Sequence, residues 1–560
     1  MRSRAVALED LATLPHRPAS LAARRDGEGV RWSVFAGEEA LVGEASGLQA
    51  LLESWGERPV IAHDWKETSR ATAATLGKEA VRHAAVAPRN LEHDTAVGAY
   101  LVNPARRQYP LDELLEEAGI EAAADAEGED GLAQEAAAVH ALAALQRGEI
   151  DRLELRRLFD EVELPLVEVL CWMERIGVKV DPERIDAIAR NVSSELEQLE
   201  REVWDLAGEE FTLGSPQQLS RVLFEQLGLS RKRRGKTGFS TDARVLRAIR
   251  DEHPIVSKIE TWRELSKLKS TYLDALPALI SKETGRLHTT FNQTATTTGR
   301  LSSTNPNLQN IPIRTPLGRQ IRGCFVTEGG CRLISADYSQ VELRILAHVA
   351  SEQVLKDIFA RGEDVHAATA AEVLKLSSGE IGPGERSKAK AVNFGIVYGL
   401  SPHGLSEQLD IPHDEAAEYI DRYLGRFPAV QAFIEQTIAK ATEDGYVKTL
   451  FGRIRPIPEL RSAKYQTRSQ GERLAVNTVI QGTAADIMKV AMVRCHRRLS
   501  EAALETRLVL TVHDELLFEG PEAEAEQACQ IVRREMESAY ELDPPLEVEL
   551  GVGDNWLEAK

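Results

Sequence analysis

The sequence predicts a multidomain protein in which an α/β domain precedes a larger, mainly helical α+β part. Three observations support this fold class. The 560 residues exceed what one hydrophobic core can organise. Short β-like runs alternate with helical periods up to about residue 155, and long helical periods dominate from about Leu158. Strand-like apolar runs that contain or precede acidic residues then return near residues 332–337 and 507–519.

The α/β assignment of the first part depends on two short strands and two helices. Val30–Phe35 and Val60–Ala62 are short apolar runs typical of strands. Leu111–Ala118 and Ala133–Leu145 repeat their apolar residues at helical spacing. These alternating elements predict a small sheet covered by helices.

The next part is predicted to be helical up to about residue 280. Apolar residues between Leu164 and Met173 lie at helical spacing, and Glu183–Leu206 predicts one charged amphipathic helix. Residues 214–216 and 235–241 are rich in loop-forming residues. A further helix is predicted over Ile259–Ile280. It carries three cations that partly share a face: Arg263, Lys267 and Lys269.

Composition limits the class of protein. No apolar stretch approaches the ~18 residues that a membrane span needs, and the first residues lack the apolar core of a signal peptide, so we expect a cytoplasmic protein. Five scattered cysteines without a CxxC pair argue against a disulfide framework or a zinc site. The formal net charge of −20 describes the long-range field and leaves room for a local cationic groove.

Asp337 stands where an apolar run ends. Residues 332–336 read RLISA, which predicts a buried strand, and Leu343, Leu346 and Ala347 then predict a helix with one apolar face. A carboxylate at a strand end can face a cleft and hold a metal ion. Taken alone, Asp337 is equally typical of an ordinary turn.

A tight hairpin is predicted around Asp514, because residues 507–512 and 515–519 are both β-like. Two adjacent acids, Asp514 and Glu515, are costly at an apolar hairpin tip unless they are exposed or bind a cation. If the two strands are neighbours, Asp337 and Asp514 converge. Two carboxylates with water and phosphate oxygens suit Mg²⁺, and two ions ~3.5–4 Å apart would activate a 3′-hydroxyl and stabilise a leaving pyrophosphate.

A cationic and aromatic stripe is predicted on one helix. Its four members are each four residues apart: Arg386, Lys390, Phe394 and Tyr398. The cations can bind the β- and γ-phosphates of a nucleotide, and the rings can stack on a base or sugar. Gly395 and Gly399 leave room for close approach. The alternative, an amphipathic surface helix, does not explain the aromatic and glycine residues of the last turns.

Three ordered motifs resemble DNA polymerase family A, the bacterial DNA polymerase I group: DYSQVELR from Asp337, RxxxKxxxFGxxYG from Arg386 and VHDE from Val512. The likeness runs from about Leu158 to Leu557. It includes connecting segments that read TGRLSS at residues 298–303, PNLQNIP at 306–312 and QGTAAD at 481–486. Each motif alone is a modest signal, whereas the ordered set is highly specific.

The resemblance implies an exonuclease-like (ribonuclease H-like) α/β domain followed by a right-hand polymerase. The exonuclease-like domain would span residues 1–155 and the polymerase residues 156–560. Within the polymerase, the expected subdomains are a thumb at about 175–290, a palm with an antiparallel sheet at about 291–350 and 475–560, and fingers at about 351–474. The implied activity is DNA-templated extension of a primer with deoxynucleotides, in repair or replication gap filling.

The resemblance also assigns roles to residues. Asp337 and Asp514 carry over as ligands of two Mg²⁺ ions, with Mn²⁺ as a substitute and with help from the Tyr338 carbonyl. Glu515 is placed with the catalytic group. The expected nucleotide contacts are Arg386, Lys390, Phe394, Tyr398, His366, Gln340 and Glu342, and Glu342 would exclude a ribose 2′-hydroxyl.

DNA is expected to bind along polar side chains that check the minor groove without reading sequence. The implied contacts are Arg300, Gln309, Asn310, Arg473, Asn477, Gln481 and His513. Backbone phosphates would bind Arg263, Lys267, Lys269 and the basic cluster at residues 231–236. The expected partners are primer–template DNA and dNTPs, and we expect a monomer that binds no membrane.

The first domain is predicted to lack 3′–5′ exonuclease activity, because that chemistry needs about four carboxylates around two metals. The Asp-x-Glu sites before residue 150 are 26–28, which precedes its predicted strand, and 125–127, which lies in an acidic run. Lys66-Glu67-Thr68 stands where the family has Lys-x-Asp, and 132–136 lacks the Tyr and Asp of the third motif. Asp94 alone cannot hold two metals. A 5′ nuclease domain has no room in this sequence.

Three other functions stay open at this point. Single-subunit phage RNA polymerases share the two aspartates and a similar helix, and Glu342 is the residue that separates the two products. A nuclease is disfavoured by the carboxylates missing from the first domain. A non-catalytic DNA-binding protein is disfavoured because every residue of the polymerase motifs is present.

Overall fold

The computed structural model describes residues 3–560 except residues 15, 28, 74–89, 122–128, 231–233, 236–237, 314, 374–380 and 398. The strands are β1 Ser3–Ala5, β2 Ala19–Asp26, β3 Gly29–Phe35, β4 Ala40–Ala45, β5 Val60–Ala62, β6 Leu91–Asp94, β7 Val178–Val180, β8 Arg234–Gly235, β9 Gly238–Phe239, β10 Arg286–Leu287, β11 Thr290–Asn292, β12 Ser302–Thr304, β13 Phe325–Val326, β14 Cys331–Tyr338, β15 Tyr446–Lys448, β16 Ile454–Pro456, β17 Arg507–Val512, β18 Glu515–Pro521 and β19 Val548–Gly553.

The helices, again in chain order, are α1 Leu48–Trp55, α2 Trp65–Ala73, α3 Thr95–Val102, α4 Leu111–Ala118, α5 Glu129–Arg152, α6 Arg156–Leu158, α7 Leu164–Ile176, α8 Pro182–Ala207, α9 Pro216–Ser220, α10 Ala243–Ala248, α11 Pro254–Leu268, α12 Ala275–Leu279, α13 Pro316–Arg322, α14 Val341–Val349, α15 Gln353–Ala360, α16 Val365–Val373, α17 Pro383–Val397, α18 Pro402–Leu409, α19 His413–Arg426, α20 Pro428–Asp444, α21 Tyr465–Asn477, α22 Thr483–Glu501 and α23 Ala525–Glu537. Short π-helical turns occur at Phe159–Glu163, Arg221–Gln226, Lys269–Leu273 and Thr478–Gly482.

The chain forms two compact units. The first contains Met1–Gly177, Thr289–Gln309 and Ile334–Gly551. The second contains Val178–His288, Asn310–Leu333 and Val552–Lys560.

The first unit begins with a mixed six-stranded sheet in the order β1-β4-β3-β2-β5-β6. The neighbours of β3 are antiparallel to it, whereas β5 is parallel to both β2 and β6. Helix α5 packs across β2, β3 and β4. Its small buried residues Ala136 and Ala143 allow this close approach to the sheet, so the predicted α/β layers are confirmed.

A second sheet of the first unit has the order β17-β18-β14-β19. Strand β14 is a continuous buried run from Leu333 to Ala336, as expected for a strand covered on both faces. Strands β17 and β18 form an antiparallel hairpin in which Val512 pairs with Glu515. This sheet carries Asp337 and Asp514.

The second unit is built on helices α8 and α11, which pack against each other. Helix α8 begins where the Asp181 side chain accepts a hydrogen bond from the Arg184 N–H at 3.0 Å. It ends at Gly208, which has φ 76°. Residues such as Phe224, Ile255 and Ile259 form the apolar core.

Several predicted elements agree with the structure. Helix α4 has the predicted bounds, β5 and β3 match within one residue, and α8 extends the predicted helix by one residue at each end. Cys171, Cys324 and Cys495 are buried. Within the described ranges, no helix has the length and apolarity needed to cross a bilayer.

Three predictions of local structure were wrong in extent. The predicted helix at 259–280 is instead α11, a π-helical turn and α12, because His253 and Pro254 start α11 earlier. Ser215 and Pro216, interpreted as a loop, begin α9 as its cap and first residue. Helix α5 is longer than predicted and continues through Gly131 and Gly148.

Candidate active site

Asp337 and Asp514 are brought together by the second sheet. Asp337 is the next-to-last residue of β14, and Asp514 lies in the two-residue turn between β17 and β18. The Tyr338 N–H donates to the Asp514 carbonyl at 3.1 Å. Both aspartates are partly exposed, whereas the strand residues around them are buried. The convergence that the sequence predicted is therefore present at the end of the hairpin.

The turn itself explains why the sequence can form this site. His513 adopts φ 55°, the left-handed conformation that two-residue hairpin turns require. Buried apolar residues on both strands, including Leu510 and Leu517, hold the hairpin in one register. The polar residues are consequently confined to the tip.

Glu515 occupies a different environment from the two aspartates. It is 3% exposed and accepts a hydrogen bond from the Ser335 hydroxyl at 2.7 Å. Ser335 and Asp337 lie on the same face of β14, about 7 Å apart along the strand. Glu515 is therefore held next to Ser335, and its place with the catalytic group stays a prediction.

A small cavity of about 50 Å³ joins several predicted DNA contacts to Asp514. Its polar lining consists of Arg300, Gln309, Lys489, Thr511, His513 and Asp514. The Gln309 amide donates to the Thr511 carbonyl at 3.2 Å, which fixes the loop after β12 to strand β17. Lys489 was not identified from the sequence.

Glu342 is buried beside a cation. It lies in the first turn of α14, is 4% exposed, and accepts a hydrogen bond from the Arg300 guanidinium at 2.6 Å. Gln340 precedes α14 in the left-handed conformation, with φ 53°, which is uncommon for a residue with a side chain. The chain therefore turns sharply between Asp337 and Glu342.

The predicted stripe lies on α17, which packs against α14. Arg386 forms an ion pair with Asp364 at 2.6 Å. The Lys390 ammonium is 5.7 Å from the centre of the Phe394 ring, at cation–π distance. The helix thus carries these three residues in the predicted order, and Tyr398 lies outside the described residues.

His366 is a buried neighbour of the stripe. Its ring is 5.9 Å from that of Phe394, and Asn393 lies 3.0 Å from its Nδ1. Burial and nearby Lys390 lower the pKa of His366 to about 4. The ring is 2% exposed, and its predicted contact with a triphosphate stays a prediction.

The sequence is similar to characterised polymerases along most of its length. The sequence model described as DNA polymerase family A matches residues 182–558. The thermostable DNA polymerase I of Thermus filiformis is 53% identical over 405 residues, which cover 72% of this chain and 48% of that protein. DNA polymerase I of Bacillus caldotenax is 43% identical over 485 residues, covering 83% and 55%.

The chain belongs to DNA polymerase family A. It spans about half the length of the curated relatives it matches. A solved structure, the POL domain of Pol1 from M. smegmatis in complex with DNA primer-template and dNTP, superposes with a TM-score of 0.90 at 36% identity and covers 100% of both chains. The fold is accordingly the exonuclease-like domain and right-hand polymerase of family A.

Three more predicted DNA contacts form a second stripe. Arg473 and Asn477 lie on α21 and Gln481 on the π-helical turn that follows, each four residues after the last. Arg473 is exposed, and its side chain packs against Gly399, where an added Cβ would lie 2.9 Å from Cγ of Arg473. The glycine after the stripe of α17 is therefore required for this close approach.

The remaining predicted DNA contacts belong to the second unit. Arg263 donates to the Thr241 carbonyl and hydroxyl, and Lys269 pairs with Asp274 at 2.7 Å. Lys267 and Asn310 are exposed. The basic cluster at residues 231–236 falls on residues whose side chains lie outside the described part of the chain.

Asp94 of the first domain is buried and receives several backbone hydrogen bonds. Asp94 is 1% exposed and accepts four backbone N–H groups: those of Asp64, Trp65, Ala96 and Val97. Leu132 and Ala136, where the third exonuclease motif would stand, are buried apolar residues of α5.

Asp26 precedes β3, as predicted, and is also the last residue of β2. It forms an exposed ion pair with Arg31. Residues 28 and 125–127 lie outside the described residues.

Lys66 has a structural role. Its ammonium pairs with the Glu174 carboxylate and donates to the Phe291 carbonyl at 2.6 Å. Glu174 also accepts the Phe291 N–H at 2.8 Å. The residue that matches the second exonuclease motif therefore fixes α2 to α7 and β11.

Sequence reasoning missed a buried ionic cluster behind the cavity. Its members are Glu163, Arg453, Asp486 and Lys489, each at most 2% exposed. Burial opposes ionisation of Glu163, but Lys489, Arg453 and hydrogen bonds outweigh it and lower its pKa to about 2. Charged residues at apolar helix positions, such as Asp486 and Lys489 on α22, were the available signal.

Proposed function

We propose that the chain extends the 3′ end of a DNA primer with deoxynucleotides under the direction of a template strand. The observation that carries this proposal is the backbone hydrogen bond between Tyr338 and Asp514, which brings two segments with partly exposed aspartates, Asp337 and Asp514, close together. Membership of DNA polymerase family A supports it. So does the similarity to a structure whose title includes primer-template DNA and a dNTP.

Asp337 and Asp514, with the Tyr338 carbonyl, would hold two Mg²⁺ ions, or Mn²⁺ in their place. The donors fit, because hard cations prefer carboxylate and carbonyl oxygens and keep water and phosphate as further ligands. No group of three or more His, Cys, Asp or Glu side chains suited to a metal occurs among the described residues, so the proposed site depends on these two acids. When bound, the ions activate the primer 3′-hydroxyl and stabilise the leaving pyrophosphate.

The chain's own residues would bind and orient the nucleotide. Arg386 and Lys390 would bind the β- and γ-phosphates, and Arg386 must exchange its ion pair with Asp364 to do so. Phe394 would stack on the base or sugar, with Lys390 near its ring. Gln340 and Tyr398 complete the proposed nucleotide contacts.

Glu342 would select deoxyribose. Its carboxylate is buried and already accepts a hydrogen bond from Arg300. A ribose 2′-hydroxyl placed against it would lose hydration without a good partner, at a cost of roughly 1–3 kcal/mol. The same pair would place Arg300 beside the primer–template, together with Gln309, Arg473, Asn477, Gln481 and His513.

We also propose that the first domain does not proofread. Four backbone donors occupy the one carboxylate, Asp94, that resembles a conserved family position. Lys66 already forms a buried ion pair with Glu174. The domain would instead brace the polymerase.

The subdomain boundaries predicted from the resemblance are retained as part of this proposal. The thumb at about 175–290 would bind duplex DNA through exposed cations such as Lys267. Repair synthesis or gap filling by a cytoplasmic monomer is the proposed setting.

A single gel assay tests the proposal. A labelled primer annealed to a longer template is incubated with Mg²⁺, with and without the four dNTPs. We expect extension to the template end with dNTPs and an unchanged primer without them. No extension would refute the polymerase activity, and steady shortening without dNTPs would refute the absence of proofreading.

A further inference from the structure

The loop between β11 and β12 presents Arg300 to Glu342. It runs from residue 293 to residue 301, and its last turn contains Gly299 with φ 87°. The Arg300 guanidinium donates to the Glu342 carboxylate at 2.6 Å. The position of this loop therefore determines where the guanidinium meets Glu342.

Tyr100 of α3 contacts the loop from the first domain. It is 0% exposed, and its hydroxyl donates to the Thr296 carbonyl at 2.8 Å. The Thr296 hydroxyl in turn donates to the Arg300 carbonyl at 2.6 Å. Because burial raises the pKa of Tyr100, the phenol keeps the proton that it donates. An unbroken series of hydrogen bonds and backbone links thus joins Tyr100 to Glu342.

Arg453 supports the same loop from the other side. A Cβ added to Gly299 would lie 2.7 Å from Nε of Arg453, so the loop backbone rests on this guanidinium. Arg453 is fixed by Glu163 and by Asp486, the latter at 2.7 Å. Its Cζ is 5.9 Å from the centre of the Tyr100 ring. With both supports present, the loop has little freedom to move.

We propose that Tyr100 is a positioning residue for nucleotide selection, which acts by holding the 293–301 loop so that Arg300 fixes the Glu342 carboxylate. The inference rests on the proposed polymerase function and extends it. It gives the first domain, which we propose lacks exonuclease activity, a direct part in discriminating the sugar. Without the Tyr100 hydroxyl, Arg300 would hold Glu342 less firmly, and a 2′-hydroxyl would be excluded less well.

Tyr100→Phe in the full chain removes one hydroxyl and keeps the buried ring. Tyr109→Phe is the matched control, because Tyr109 is also buried and donates to a backbone carbonyl, that of Asn103, at 2.7 Å within the first domain. We measure single-nucleotide kcat/KM for a dNTP and the matching rNTP. Tyr100→Phe should lower the preference for the dNTP by about three- to tenfold, and Tyr109→Phe should leave it unchanged. Equal preference in both variants and the parent, or an equal fall in both variants, would overturn the proposal.

The route through Arg300 is tested by a double-mutant cycle. In an Arg300→Ala background, Tyr100→Phe should change the dNTP preference no further, and an undiminished effect there would contradict the proposed route. If Tyr100→Phe does not fold, Thr296→Val replaces it, with Thr297→Val as its control and the same expected outcomes. If the parent extends primers but Tyr100→Phe leaves the dNTP preference unchanged, this inference alone is refuted. If the parent synthesises no DNA, the proposed function is refuted.

Discussion

At the scale of single residues, the ion pair between Arg300 and Glu342 would connect the proposed DNA binding to the proposed nucleotide selection. Both residues were predicted to contact substrates, but the pattern gave no reason to pair them. The structure buries Glu342 and leaves the side chain of Arg300 37% exposed. The guanidinium can therefore reach DNA while it holds the carboxylate in place.

Replacing Glu342 with alanine should relax sugar discrimination. The variant removes the buried carboxylate, so a 2′-hydroxyl no longer loses hydration against it. We expect rNTP incorporation relative to dNTP to rise by about 5- to 150-fold, the equivalent of 1–3 kcal/mol. Glu363→Ala, an exposed residue paired with Arg361, is the control. A ratio that stays at the parent value in a single-nucleotide extension assay would remove Glu342 from the selection step.

At the scale of elements, the buried ionic cluster fixes helix α22 to the π-helical turn at Phe159–Glu163. Glu163 accepts hydrogen bonds from Lys489 at 2.8 Å and from Arg453 and Gln293. The charges of the two acids, Glu163 and Asp486, balance those of the two cations. The Thr449 hydroxyl also donates a hydrogen bond to Asp486 at 2.7 Å. Such a cluster is costly to break, because a charge left without its partner cannot regain hydration.

Glu163→Gln should therefore lower the free energy of unfolding by about 3–5 kcal/mol. The amide keeps the shape of the side chain but leaves Lys489 and Arg453 with one counter-charge between them. Glu161→Gln, two residues away in an exposed ion pair with Arg157, should change stability by less than about 1 kcal/mol. Equal urea denaturation midpoints for both variants would show that the cluster contributes little.

The elements that the sequence could predict are those whose signals are local. Helix α8 was predictable because its amphipathic period runs from the Pro182 turn to Gly208. The β17–β18 hairpin was predictable because two apolar runs flank a two-residue polar turn. The proximity of the two aspartates, Asp337 and Asp514, could be predicted once their strands were assumed to be neighbours. The partners of Tyr100 and Glu163 lie 130 to 326 residues away in sequence, and no period or motif encodes such contacts.

At the scale of the whole molecule, several buried histidines couple stability to pH. His93 is 0% exposed, lies 2.8 Å from the Gln146 side-chain oxygen, and has its pKa lowered to about 4 by burial. Burial likewise lowers the pKa of His496 to about 4. The unfolded chain binds these protons near pH 6.5, whereas the folded chain excludes them until about pH 4. The free energy of unfolding should therefore fall as pH is lowered through this window.

His93→Gln should make that dependence shallower. The slope of the unfolding free energy between about pH 6.5 and pH 4 should decrease by up to about 1.4 kcal/mol per pH unit, since one titrating group is removed. His403→Gln, with a side chain that is 75% exposed, is the control. Urea denaturation at a series of pH values measures both slopes, and identical slopes for parent and His93→Gln would show that this histidine does not titrate as described.

The most direct test of the central claim is single-turnover primer extension by Asp337→Asn and Asp514→Asn. Each substitution keeps the shape of the side chain and removes one of the two carboxylates that meet at the hairpin tip. Both variants should fold and bind primer–template, and both should extend it at least about 100-fold more slowly, a loss of roughly 3 kcal/mol or more. Asp357→Asn, which changes an exposed residue of α15, should match the parent. Extension within about twofold of the parent rate by either aspartate variant would contradict the account.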